Sequence, residues 1–182
     1  MAGRPRSFDR DAALAVAIRQ FWLTGYDETS VAMLTAAMGV TPPSLYAAFG
    51  DKRRLFEEAS ALYFERTCEA VDRAAALTTA HEAVARILED TARAHTAADT
   101  PPGCLMLTEP RLDAQREVLR QRLEDRLAQG VRDGDLPRST DASALASFLV
   151  AVMRGMSGRA RDGGTAEEVR GIAETALAAL PR

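Results

Sequence analysis

From Asp9 onward, apolar side chains recur at Leu14, Ala17, Ile18, Phe21 and Trp22, the i, i+3, i+4, i+7, i+8 stripe of an amphipathic helix, and Gly25 is placed to end it. Thr29 or Ser30 can cap a short second helix through Val31, Leu34 and Ala37, which breaks at Gly39. Thr41 caps a third helix that opens with Pro42-Pro43. Both rings fall in the first turn, where no helical hydrogen bond is lost. After Gly50-Asp51 a longer fourth helix carries Leu55, Phe56, Ala59, Leu62, Tyr63, Ala70 and Val71 on one face.

The same period continues to the end of the chain. Thr79-Ala80-His81-Glu82 reads as a capping box before a fifth helix marked by Val84, Ile87, Leu88 and Ala92, which gives way to the turn-rich stretch 98–103. Cys104 to Thr108 is apolar and short, and Pro110 ends or kinks it. A seventh helix follows with Leu112, Leu119, Leu123 and Leu127. Gly134-Asp135-Leu136-Pro137 separates that helix from an eighth carrying Leu145, Phe148, Leu149, Val152, Met153 and Met156. A second capping box, Thr165 to Glu168, opens the last helix, with Val169, Ile172, Ala173, Ala176, Leu177 and Leu180 in step. Nothing alternates with the period of a strand. The pattern predicts an all-α fold of about nine helices.

Composition narrows the class. With 47% apolar and 27% charged residues, the 182-residue chain can bury a substantial core, and no apolar run approaches the roughly 20 residues needed to span a bilayer. Cys68 and Cys104 are too few for a disulfide framework and form no C-x-x-C pair, which fits a reducing compartment, and the expectation is a cytoplasmic protein without a membrane partner. The formal charge of −3 hides an asymmetry. Residues 1–56 hold seven basic and five acidic side chains, a net of +2, which leaves −5 for the rest. The electropositive end is the place to look for a polyanion site.

That end contains Thr29 to Tyr46, two short helices meeting at a glycine turn, the layout in which one helix supports a second that enters the major groove. Leu45 and Phe49 would anchor the second helix. Thr41, Ser44 and Tyr46 would offer hydroxyls and an aromatic ring to bases or phosphates, and the helix N-termini near Thr29 and Thr41 would offer free amides. An isolated pair of helices is also compatible with Thr41 acting only as a cap and Tyr46 only as a packing residue.

Over its first 56 residues the chain resembles the tetracycline-repressor (TetR) family of bacterial regulators. The resemblance rests on Leu14, Ala17, Phe21, Gly25, Tyr26, Thr29, Ser30, Val31, Leu34, Ala37, Gly39, Val40, Leu45, Tyr46, Phe49, Lys52, Leu55 and Phe56. It implies a helix-turn-helix DNA-binding domain over 1–56 and a helical ligand-binding and dimerisation domain over 57–182. It also implies a double-stranded DNA operator as partner and a small-molecule inducer. Carried over by position, Thr29 or Ser30 would hold phosphate, Thr41, Pro42, Ser44 and Tyr46 would lie along the groove, and Lys52 would clamp the DNA backbone. Arg4 and Arg6 look like the basic arm that some members place in the minor groove, and an arm of that length can equally be plain disorder. Met38 stands where a smaller residue is usual, and the Pro42-Pro43 pair also departs from the common pattern.

For the inducer, the candidates are Tyr63, His95, Cys104, Met106, Phe148 and Met153, with His95 phased to point inward beside Cys104, Met106 and Phe148. A buried, satisfied histidine and a simply buried cysteine are the alternatives. The last two helices carry apolar stripes wide enough to meet a second copy as a four-helix bundle, or to close the chain's own core. No metal-ligand spacing, glycine-rich phosphate loop or nucleophile motif is present. Neither a cofactor nor enzymatic activity is therefore expected, and the rival function is a helical binding protein that keeps the fold without reading DNA.

Overall fold

The computed structural model describes residues 9–181, and the chain divides into two compact units, residues up to Leu62 and residues from Tyr63 onward. This division lies six residues beyond the domain boundary expected at residue 56 and falls inside a helix. The described residues contain nine α-helices and one 3-10 turn, and no strand.

The first unit is built from α1 (Arg10–Glu28), α2 (Val31–Met38), α3 (Pro42–Phe49) and the start of α4 (Lys52–Ala75). Asp9 caps α1 by accepting the amide of Ala12, and Ala13, Leu14, Ala17, Ile18 and Phe21 form its buried face. Gly25 ends the regular helix, as expected. It takes a left-handed φ of 76°, and the chain then resumes helical geometry to Glu28, so the glycine makes a kink. The kink brings Tyr26 back over the core: its ring lies 4.9 Å from Phe56, which in turn meets Phe21 edge-on at 5.1 Å.

The second unit continues with α5 (Ala80–His95), α6 (Leu105–Thr108), a 3-10 turn at Pro110–Leu112, α7 (Asp113–Asp133), α8 (Ala142–Arg161) and α9 (Ala166–Ala178). Helix α7 packs on α8, and α5 packs on α9. Both capping boxes form, with Glu82 and Glu168 reaching back to the amides of Thr79 and Thr165. One close approach fixes the segment before α6. Gly103, at φ +76°, donates its amide to His95 O at 2.9 Å, and a Cβ there would lie 2.7 Å from Ser157 Oγ. Arg116 secures the following turn by donating to the carbonyls of Met106 (3.0 Å) and Glu109 (2.7 Å). No single helix among the described residues is long and apolar enough to cross a membrane.

Candidate nucleic-acid interface

Helices α2 and α3 meet at 95°, within the range of a helix-turn-helix. The turn is made by Gly39, whose αL conformation (φ 66°, ψ 32°) lets its amide reach the last carbonyls of α2, while Val40 donates to Thr35 O at 3.1 Å. Ser30 is the cap of α2, accepting the Met33 amide at 3.1 Å, and Thr41 is the cap of α3. Pro42 and Pro43 occupy the first turn of α3 without disturbing it.

The two faces of α3 separate cleanly. Leu45 is fully buried and Phe49 nearly so, whereas Thr41, Pro42, Ser44 and Tyr46 are exposed, Tyr46 to 48%. Thr41 Oγ1 and Ser44 Oγ lie 3.0 Å apart, so the exposed end of the helix presents a paired hydroxyl rather than free amides: Pro42 and Pro43 carry no N–H, and the Ser44 amide donates to Thr41 Oγ1. This is a surface with hydrogen-bonding capacity on a rod anchored from beneath, the geometry that a groove accommodates.

Thr29 requires a correction. Its side chain has no exposure: its hydroxyl donates to Gly25 O at 2.5 Å and lies 2.7 Å from Thr24 Oγ1, so it braces the kink of α1, and Ser30 alone remains as the exposed hydroxyl of the pair. Lys52 is half-buried, with Nζ donating to Thr29 O at 2.6 Å and sitting 4.3 Å from the centroid of the Tyr26 ring. Arg4 and Arg6 lie outside the described residues. One residue that sequence reasoning missed is Arg10. Its guanidinium makes two hydrogen bonds to Glu58 (2.5 and 2.7 Å) and stacks 4.7 Å over Phe49, so it ties the start of α1 to α4 and to the anchor of α3.

Comparisons with known proteins fit this geometry. The profile of bacterial regulatory proteins of the tetR family matches residues 13–59. The HTH-type transcriptional repressor ComR of Escherichia coli (strain K12) is 35% identical over 195 residues, covering 98% of this chain and 92% of ComR. The chain belongs to the TetR family. It is thus a DNA-binding transcription regulator with an N-terminal helix-turn-helix and a helical C-terminal body. Another TetR-family relative, the HTH-type transcriptional repressor BdcR of the same organism, is 31% identical, covering 98% of this chain and 92% of BdcR. Among solved structures, a cysteine-substituted TetR-family CifR in complex with 26-bp double-strand operator DNA aligns at a TM-score of 0.90. It is 37% identical and covers 98% of this chain and all of that one.

Of the six candidate inducer residues of this TetR-family chain, five are buried or half-buried and Phe148 is exposed. Tyr63 and Cys104 meet, with the phenol donating to Sγ at 3.2 Å, and the Cys104 amide donates to Ser157 Oγ at 2.9 Å. Burial pushes both the Tyr63 phenol and the Cys104 thiol up, which keeps Cys104 protonated and unreactive at neutral pH. Burial also lowers His95 to about 4, and its Nδ1 has no hydrogen-bond partner among the described residues. Met106 and Met153 are buried. Phe148 is corrected: it is 41% exposed on the outer face of α8 and does not point inward beside His95. The helical stripe determines which residues share a face with Phe148 but not which neighbour covers it.

Proposed function

We propose that this protein is a repressor that binds a palindromic operator as a homodimer and is released by a small-molecule inducer. The observation that carries the reading is the exposed face of α3, where Thr41, Pro42, Ser44 and Tyr46 stand over buried Leu45 and Phe49. Ser30 supplies a phosphate contact from the N-terminus of α2, and Lys52 adds one from the start of α4 with the ammonium donors that Thr29 leaves free. Arg4 and Arg6 extend the contact into the minor groove. That ComR and BdcR are named repressors, and that CifR was crystallised on its operator, supports the assignment.

The dimer uses α8 and α9. Ala144, Phe148, Ala151 and Gly155 make an exposed stripe along α8, continued on α9 by half-buried Gly171 and Ile172 and by exposed Thr175. Small residues around one large ring suit close packing against the same stripe of a second copy, and a two-fold pair presents two reading helices to half-sites one DNA turn apart. The inducer is recognised around Tyr63, His95, Cys104, Met106 and Met153. The unpartnered imidazole nitrogen of His95 supports this, since a buried polar atom of that kind is what a ligand can satisfy. Coupling to the operator runs through α4 and needs only about 1–3 kcal/mol between the sites.

Sedimentation analysis of the wild type and Phe148→Glu, each with and without a duplex selected from genomic fragments, tests the proposal. The wild type sediments as a dimer and loads two chains per duplex. The variant, with a charge at the centre of the stripe, sediments as a monomer and binds the duplex at least tenfold more weakly. A monomeric variant that retains full affinity would contradict the dimeric reading.

A further inference from the structure

A groove of about 520 Å³ runs between α5 and α9, apart from the residues assigned to the inducer. Its floor is apolar, formed by Leu88 and Ala92 from α5 and by Ala173 and Leu177 from α9. Four charged side chains line its edges: Glu89 and Arg93 on α5, Arg170 and Glu174 on α9.

The direction of the two helices decides how these charges are arranged. The C-terminal end of α5 lies beside Gly103, whose amide bonds His95 O, and Gly103 packs against Ser157 and Arg161 at the end of α8. Helix α9 begins just beyond, at Ala166, so its N-terminus lies near the C-terminus of α5 and the two helices are antiparallel. In that register Arg93 and Arg170 line one level of the groove, and Glu89 and Glu174 line the level one turn away, about 6 Å along the axes. Parallel helices would have opposed arginine to glutamate and allowed cross-groove ion pairs. Here like shares a level with like. Arg93 is paired within its own helix to Asp90, and Arg170, Glu89 and Glu174 have no ion pair among the described residues.

Two arginines at one level of the groove favour an anion there and two carboxylates at the next favour a cation, because Arg170, Glu89 and Glu174 have no ion pair among the described residues and Arg93 keeps guanidinium donors that Asp90 does not use. We propose that this groove binds a small zwitterionic amphipath. Its carboxylate sits between Arg93 and Arg170, its ammonium between Glu89 and Glu174, and its hydrocarbon spacer lies over Ala92 and Ala173. A spacer of about five methylenes spans the one-turn separation. This site lies beyond the operator-binding reading and does not depend on it.

The test is titration calorimetry of the full chain with 6-aminohexanoate, hexanoate and hexylammonium, repeated on Arg170→Gln and Glu174→Gln. Both substituted positions are exposed, and circular dichroism verifies that the helices are retained. Saturable binding of 6-aminohexanoate at one molecule per chain is expected, with the two singly charged probes about tenfold weaker and each variant losing about tenfold, a change of about 1.4 kcal/mol. Absence of saturable binding, equal binding of all three probes, or variants that bind like the wild type would each overturn the proposal. None of these outcomes alters the operator experiment, which is read on DNA.

Discussion

Lys52→Met separates two contributions that the geometry assigns to one ammonium. The substitution keeps an apolar stem against Tyr26 but removes the charged hydrogen bond to Thr29 O at 2.6 Å and the cation 4.3 Å from the ring. A charge-assisted bond contributes about 1.5–3 kcal/mol and a partly exposed cation–π interaction about 0.5–1 kcal/mol. Methionine recovers some of the ring interaction through its sulfur, so the net loss is about 2 kcal/mol. At roughly 2–4 °C per kcal/mol for a chain of this size, thermal denaturation should show a Tm lower by about 4–8 °C. The second contribution is electrostatic. Each cation that neutralises a duplex phosphate contributes about 0.9 to the slope of log K against log salt, and the dimer loses two, so the slope should fall by about 1.8 and wild type should lose about twelvefold more affinity than the variant between 50 and 200 mM salt. Fluorescence anisotropy on an operator duplex across that range reads the slope. An unchanged Tm would refute the bracing role of Lys52, and an unchanged slope would remove it from the phosphate-binding set.

Two further perturbations probe the C-terminal unit. Gly103→Ala forces a Cβ to within 2.9 Å of Ser157 O at a left-handed φ, and should cost about 3 kcal/mol in urea unfolding; a loss under 1 kcal/mol would mean the α8 packing yields easily. His95, held neutral by burial with its pKa lowered to about 4, titrates near 6.5 once unfolded. The unfolded chain therefore takes up the proton first as pH falls, so this contribution is complete above about pH 6.5 and declines toward pH 4, by about 2 kcal/mol between pH 6.5 and 5. His95→Gln should flatten the stability profile over that window, and a profile as steep as wild type would place the titrating group elsewhere.

Much of this architecture could be read from the sequence because the deciding signals are local. The capping boxes at Thr79 and Thr165, the αL glycine at Gly39 and the proline pair at the start of α3 each act within four residues, and each formed as its chemistry requires. What escaped was set by tertiary neighbours. Thr29 and Ser30 are interchangeable as helix caps, and only the kink at Gly25 draws one hydroxyl inward while leaving the other at the surface. The bracing pairs Lys52 with Thr29 and Arg10 with Glu58 join residues 23 and 48 positions apart, beyond any helical period. Phe148 lies on an apolar stripe that periodicity detects, yet the stripe does not say whether its cover is the same chain or another. The charged rows of the α5–α9 groove depend on helix direction, which no stripe encodes.

Whether the exposed face of α3 reads DNA sequence can be decided by selecting bound genomic fragments and footprinting them with wild type and Tyr46→Ala. Tyr46 is 48% exposed, so its truncation should leave the fold and the oligomeric state unchanged. The wild type should protect a two-fold symmetric site with half-sites one helical turn apart, and Tyr46→Ala should lose that protection while keeping weak, salt-sensitive binding to any duplex. The same footprint from the variant, or no enriched sequence from the wild type, would mean that α3 is not the reading helix.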